Sequence, residues 1–232
     1  MTLHDILKKL ALGDLSNTSL VEDGFIKEKD KDKVILAIED GLTQLHSRFT
    51  LSFRDVWIQT YKHITYYHLD PLYAESNEDN SSARELYIKD LFGEKFEGGV
   101  LKILTVFNEQ EEQLPLNDKE DENSFYTPQP TIIQVPRTWE PGLLNVVYQA
   151  NHEKLDKENE MMRIQLPESL VPALCSYVNY LIQSPINTQE AMSKALESKG
   201  NYELICQRAV LESTANTDFT TTNTRFEKNG WV

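Results

Sequence analysis

Apolar residues recur near the start of the chain with the period of a helix. Leu3, Ile6, Leu7 and Leu10 lie three or four apart behind Thr2 and Asp5, a pair spaced as in a capping box, and Gly13 closes the run. A polar loop is expected from Asp14 to about Lys29. Val34, Ile35, Ile38, Leu42, Leu45 and Phe49 then form one stripe, which predicts a second, longer helix. Asp30 or Asp32 is its expected cap, with carboxylates near the positive end of the helix dipole.

From Leu51 the period changes. Phe53, Val56, Trp57, Ile58, Tyr61, Ile64, Tyr66 and Tyr67 make a β-branched and aromatic stretch that stops at Asp70-Pro71, so one or two strands are expected. Residues 74–85 read as loop, and Leu86–Phe92 as a short helix or turn. Gly98-Gly99 opens a strand over Val100–Phe107, with Glu109–Gln113 as a hairpin tip and LPLND returning. Residues 117–130 read as an acidic loop containing proline. Thr131–Pro136 and Leu143–Ala150 are two further strands joined by a Trp-Glu-Pro-Gly turn, and Pro136 places the first at a sheet edge or a strand end.

Residues 151–163 are charged and read as loop. Helical spacing then returns. Leu166-Pro167-Glu168 resembles a helix start, Leu170, Leu174, Tyr177, Val178 and Leu181 form a stripe, and Ser184-Pro185 ends it. Thr188 caps a final helix with apolar positions Ala191, Met192, Ala195, Leu196, Tyr202, Ile205, Cys206, Ala209 and Val210, weakened in its middle by Gly200.

These elements predict an α+β chain. Residues 1–50 and 166–212 supply about four helices that pack as a bundle, and residues 51–165 form an inserted β-rich subdomain. Residues 213–232 form an extended arm. That arm, STANTDFTTTNTRFEKNGWV, has six threonines, three asparagines and no period, yet carries Phe219, Phe226 and Trp231. Ordering it costs on the order of 20–40 kcal/mol of backbone entropy. Burying its three large aromatics returns roughly 6–9 kcal/mol. The balance predicts an arm that takes shape only on a partner, where it can span up to about 70 Å.

Composition adds limits. Hydrophobic residues at 40 % and charged residues at 26 % are those of a folded protein. The net charge of −14 suits a surface that borders nucleic acid without gripping it. Cys175 and Cys206 are too few for a disulfide framework and read as buried thiols. The N-terminus is amphipathic rather than a signal peptide, and no apolar run is long enough for a membrane span, so a cytosolic product with no membrane partner is expected.

Candidate chemistry is sparse. No H-E-x-x-H, G-x-S-x-G, G-x-G-x-x-G or P-loop pattern occurs, and His63 and His68 have the wrong spacing for a metal pair on one helix face. The expectation is a non-enzyme with no catalytic or metal-ligating residues and no cofactor. Glu109–Asn123 carries seven carboxylates against one lysine. Glu109, Glu111, Glu112, Asp118 and Glu120 read as solvated loops, or as loops lining a DNA conduit where negative charge prevents sticking. Trp57, Tyr61, Tyr66, Tyr67 and Tyr73 read as core or interface, with a sugar-stacking platform as the other reading.

One resemblance covers nearly the whole chain. MTLHDILKKLALGDLSN, VILAIEDGLTQLHSRF, ITYYHLDPLYA, VLKILTVFNEQ, LPLND, YTPQPTIIQVP, LPESLVPALCSYVNYLI and NTRFEKNGWV occur in that order. Their order and pattern are similar to those of the head-to-tail adaptor, or connector, proteins beneath the portal of tailed bacteriophages. The resemblance implies a virion structural protein of the neck, assembled in the host cytoplasm. It implies a ring of copies, normally twelve, on the portal protein. The ring continues the DNA channel toward tail-tube or nozzle proteins and lets double-stranded DNA pass without specific binding. It also implies a helical core, a β-rich region and a C-terminal docking segment, whose role falls here on Phe219, Phe226, Gly230 and Trp231. Other readings are a different neck or tail ring protein such as a tail terminator, a carbohydrate-binding module using the Trp57 cluster, and a hydrolase with unrecognised carboxylates.

Overall fold

A computed structural model describes residues 1–77, 85–90 and 95–212. The fold is α+β, with four α-helices and several antiparallel sheets among the described residues. The chain divides into two compact units, one of Met1–Leu51 with the chain from Glu153 onward, the other of Ser52–His152.

The first unit is helical. Helix α1 (Leu3–Leu12) starts as the sequence predicts. The Asp5 amide donates to Thr2 Oγ1 at 3.2 Å and the Thr2 amide to Asp5 Oδ2 at 2.9 Å, closing the capping box. The expected loop after it holds a small hairpin, β1 (Val21–Glu22) and β2 (Phe25–Ile26). Asp23 and Gly24 turn it with φ of 52° and 79°, the left-handed pair of a type I′ turn. Helix α2 (Glu28–Arg48) begins earlier than Asp30 or Asp32 would allow as caps. Lys27 is the cap residue and makes no side-chain capping bond, while Glu28 and Asp30 lie in the first turn, where their charge suits the dipole.

The stripe Val34, Ile35, Ile38, Leu42, Leu45 and Phe49 is buried as expected. It packs on α3 (Val171–Gln183), which follows a 3-10 turn at Glu168–Leu170. Pro172, not Pro167, takes the first helical turn. A Cβ on Gly41 would lie 2.6 Å from Leu174 Cδ1, so the glycine permits the close approach of α2 and α3. Thr188 caps α4 (Gln189–Leu211), accepting from the Ala191 amide at 3.2 Å. All four helices feed one core. Residues 153–165, grouped with the strands on sequence grounds, belong to this unit. Leu155 packs on its core, and the Leu3 and His4 amides donate to the Met162 and Glu160 carbonyls.

The second unit contains eight short strands among its described residues: β3 (Phe53–Gln59), β4 (Tyr66–His68), β5 (Ile88–Lys89), β6 (Val100–Phe107), β7 (Gln113–Leu114), β8 (Tyr126–Gln129), β9 (Ile132–Gln134) and β10 (Leu143–Ala150). They form an antiparallel sheet β5-β3-β10-β6-β7 and a second sheet β4-β9-β8. Central β10 opposes Val56 with Val146 on one side, and Val106 with the same Val146 on the other. Alternation sends Val56, Ile58, Leu144 and Val146 into one core with Tyr67, Phe125 and Ile133, and a register shift in the β6–β10 pairing between Ile103 and Thr105 lets both Ile103 and Val106 join them. Two expectations are corrected. Strand β8 lies within the supposed loop 117–130, where Pro128 is tolerated because the strand is at a sheet edge. Strand β5 replaces the helix or turn expected around Leu86. Past the end of β9, the Trp139–Gly142 turn is pinned on Thr60, whose Oγ1 donates to the Gly142 carbonyl at 2.8 Å and accepts from Trp139 Nε1 at 3.2 Å.

Candidate functional site

The expected docking residues Phe219, Phe226, Gly230 and Trp231 lie outside the described residues. The acidic set is described, and it falls on two turns of the strand unit. At the β6–β7 tip, Asn108 Oδ1 accepts from the amides of Gln110 and Glu112 at 2.9 and 2.8 Å, and Glu111 sits at a φ of 62°. Glu112 Oε2 accepts from Asn108 Nδ2, and Glu109 Oε1 accepts from the Leu143 amide at 2.8 Å, which ties the tip to the start of β10. In the second turn Asp118 Oδ1 accepts from the Glu120 amide at 2.9 Å, and Tyr126 donates its hydroxyl to the Asp118 carbonyl at 2.7 Å. All five are exposed, and Glu109, Glu112 and Asp118 shape the loops as well as charging them. Among the described residues, no group of three or more His, Cys, Asp or Glu side chains is placed to hold a metal ion.

The aromatic stretch does not form one platform. Tyr67 is fully buried and packs edge-on to Tyr87 with ring centres 4.9 Å apart; Tyr87 stacks on Tyr73 at 4.8 Å. The Tyr61 amide donates to the Tyr67 hydroxyl at 2.6 Å, so the phenol serves the fold. Trp57 points away from the core face that Val56 and Ile58 share. His63 bonds Glu85 at 2.9 Å, and His68 stacks on Tyr73 at 6.0 Å.

Both cysteines are free thiols in the helical core. Burial pushes the Cys175 thiol up to about 11 and raises that of Cys206 as well, which keeps both protonated and poorly nucleophilic.

A concave site absent from the sequence reading lies in the helical unit. Gln44, Ser47 and Arg48 of α2, Tyr177 and Tyr180 of α3, and Lys199, Tyr202 and Glu203 of α4 line a cleft of about 420 Å³. Tyr177 is 5.0 Å from Tyr202 and 5.8 Å from Tyr180 between ring centres. Arg48 Nη1 donates to Glu203 Oε2 at 2.7 Å and lies 5.9 Å over the Tyr202 ring; Lys199 lies 5.3 Å over Tyr180. Burial pushes the Tyr202 phenol up to about 12. Such a wall offers ring faces to an apolar or aromatic group and charged hydrogen-bonding groups at its rim. Tyr177 and Tyr202 were legible as stripe residues; their meeting with Arg48 was not.

A smaller cleft of about 210 Å³ is lined by His4, Lys8, Phe25, Glu28, Lys31 and Glu160, among others. Lys31 pairs with Glu160, which also bonds His4 Nδ1 at 2.9 Å, and these partners hold the Glu160 carboxyl below its usual range. No described helix is long and apolar enough to cross a membrane. Compared with known proteins, the chain matches no family model and no curated protein.

Proposed function

We propose that this chain is a non-enzymatic virion assembly protein: a head-to-tail adaptor that forms a ring, of twelve copies by resemblance, beneath the portal of a tailed phage. The ring joins head to tail, continues the DNA channel and meets tail-tube or nozzle proteins on its far side. Its place is the virion neck. The reading is carried by the ordered sequence resemblance. The α+β organisation agrees with it, since the four helices share one core and the two larger sheets are drawn from the segment between them. The charge of −14 suits a wall along which DNA slides. Phe219, Phe226, Gly230 and Trp231 dock the subunit on the portal or a neighbouring copy, and Glu109, Glu111, Glu112, Asp118 and Glu120 belong to loops that face the channel.

Binding of purified protein to portal rings from the same particle tests the docking role. The full chain binds, and a chain lacking 213–232 keeps its circular dichroism spectrum but loses binding. Undiminished binding by the shortened chain rejects the arm as the docking element.

A further inference from the structure

On the side of β6 (Val100–Phe107) away from β10, the one neighbour among the described strands is β7, which pairs with Val106 and Phe107 alone. Pro115 cuts this return strand short, because it has no amide to continue a ladder. The chain leaves instead toward Phe125, whose amide donates to the Pro115 carbonyl at 2.9 Å. Among the described residues, then, no strand pairs with the outer edge of β6 from Val100 to Thr105. Those six positions read VLKILT, with Lys102 their one charge. Alternate residues of such an edge turn backbone N–H and C=O groups outward, toward where the next strand would lie. An apolar, β-branched edge of this length is a pairing site that a protein either covers or uses. Leu101 and Leu104 are half-buried and Lys102 is exposed, which leaves the edge open to another chain.

We infer that this edge accepts residues 219–224 of a second copy's arm as an added strand. Only an extended segment completes a ladder, so a helix is excluded as the occupant. Residues 219–224, Phe-Thr-Thr-Thr-Asn-Thr, match the open edge in length and hold one aromatic and four β-branched side chains. Charge agrees. The chain has a net charge of −14, but in its arm Asp218 and Glu227 offset Arg225 and Lys228. A neutral arm approaches another acidic copy without the repulsion that the rest of the surface meets. Residues 213–218 span up to about 20 Å between the end of α4 and this run, enough to cross to an adjacent copy.

That the strand comes from another copy rests on the adaptor reading, in which a partner orders the arm. The donor segment and the acceptor edge are unlike surfaces. Their contact is therefore head-to-tail, the kind that builds a ring when repeated from copy to copy.

The test uses the full chain. One preparation carries Lys102→Cys and another Asn223→Cys, so only a contact between copies can join them. They are mixed, treated with a short flexible bis-maleimide and read by mass spectrometry, first alone at rising concentration and then with portal rings. The two native thiols are buried and give little background. Lys102→Cys links to Asn223→Cys about tenfold more than does Met161→Cys, a control at a position 72 % exposed. Thr221→Pro with Thr222→Pro in the Asn223→Cys chain removes the link. Adjacent residues of a strand aim their amides to opposite sides, so one of the two must face β6. Thr221→Val with Thr222→Val keeps it. Equal linking of Lys102→Cys and Met161→Cys in both conditions overturns the inference. So does a link that survives the paired prolines, or one that joins Lys102→Cys to portal protein in place of the arm. Recruitment to the portal is scored separately: rings left bare reject the adaptor reading and leave the linking result to stand by itself.

Discussion

Asn179 Nδ2 donates to Ser198 Oγ at 2.8 Å, in a buried contact that joins α3 to α4 within the apolar core of the helical unit. Neighbours along α4 are small, so the helices pack closely and this one polar link sets their register. Ser198→Ala strands the Asn179 amide without its acceptor, which costs about 1–3 kcal/mol. Adding Asn179→Leu removes the orphaned group and recovers most of the loss. Urea unfolding of the single and double variants measures both effects, and equal losses in the two would show that the hydrogen bond is not the cause.

Two glycines in helices give opposite outcomes. Gly41→Leu forces a side chain against Leu174 and Tyr177, where even a Cβ would lie 2.6 and 3.3 Å away. Overpacking of this kind costs about 1–3 kcal/mol and outweighs the roughly 1 kcal/mol that helix propensity returns. Gly200→Ala meets nothing within 4 Å and keeps only the propensity gain. Measured by denaturation at high dilution, it is more stable than the wild type by about 1 kcal/mol.

Acid should weaken the contact between the N-terminus and the 160 region. Glu160 is held below the ordinary carboxylate value of 4.5 chiefly by the hydrogen bond from Lys31, then by that from His4. A carboxyl depressed in the folded state stabilises fully above its unfolded pKa and loses that contribution as pH falls through the folded one. Stability therefore declines below about pH 4.5, and the decline is shallower in Glu160→Gln. Denaturation midpoints of both proteins from pH 6 to pH 3, about the span of a carboxylate titration, check this. Parallel curves would remove Glu160 from the account.

The buried thiols titrate in the other direction. Burial raises Cys175 from 9.0 to about 11. An acid held neutral in the folded state contributes stability below its unfolded pKa and loses it as pH rises from there toward the folded value. Alkaline destabilisation therefore sets in near pH 9 and diminishes in Cys175→Ala after its cavity cost is subtracted. At neutral pH an aromatic disulfide reagent reacts with neither cysteine until denaturant is added; immediate reaction of one equivalent contradicts their placement.

Long amphipathic patterns are legible in the sequence. The stripe from Val34 to Phe49 needs no partner information to identify its buried face, and β3, β6 and β10 announce themselves by runs of β-branched residues. Strands of two residues show no period, although Asp23-Gly24 is itself a hairpin signal. The start of α2 differs from the expected Asp30 or Asp32 because its first turn, Glu28–Lys31, has no apolar residue to mark it. Proline and exposure disguised β8. The tyrosine cleft was out of reach for another reason. Arg48 and Glu203 are 155 positions apart, and only the packing of α2 on α3 and α3 on α4 brings them together. Met192, Leu196 and Val210 fall among the apolar positions expected of α4 yet are exposed, because periodicity identifies a stripe without saying what covers it.

Electron microscopy of the full chain mixed with portal rings from its own particle tests the adaptor reading most directly. The account predicts a closed ring of copies seated on the portal, a channel continuous through both, and residues 213–232 held against the portal or an adjacent copy by Phe219, Phe226 and Trp231. Portal rings left bare at saturating protein, or a bound ring whose 213–232 segments lie against their own subunits, would contradict it.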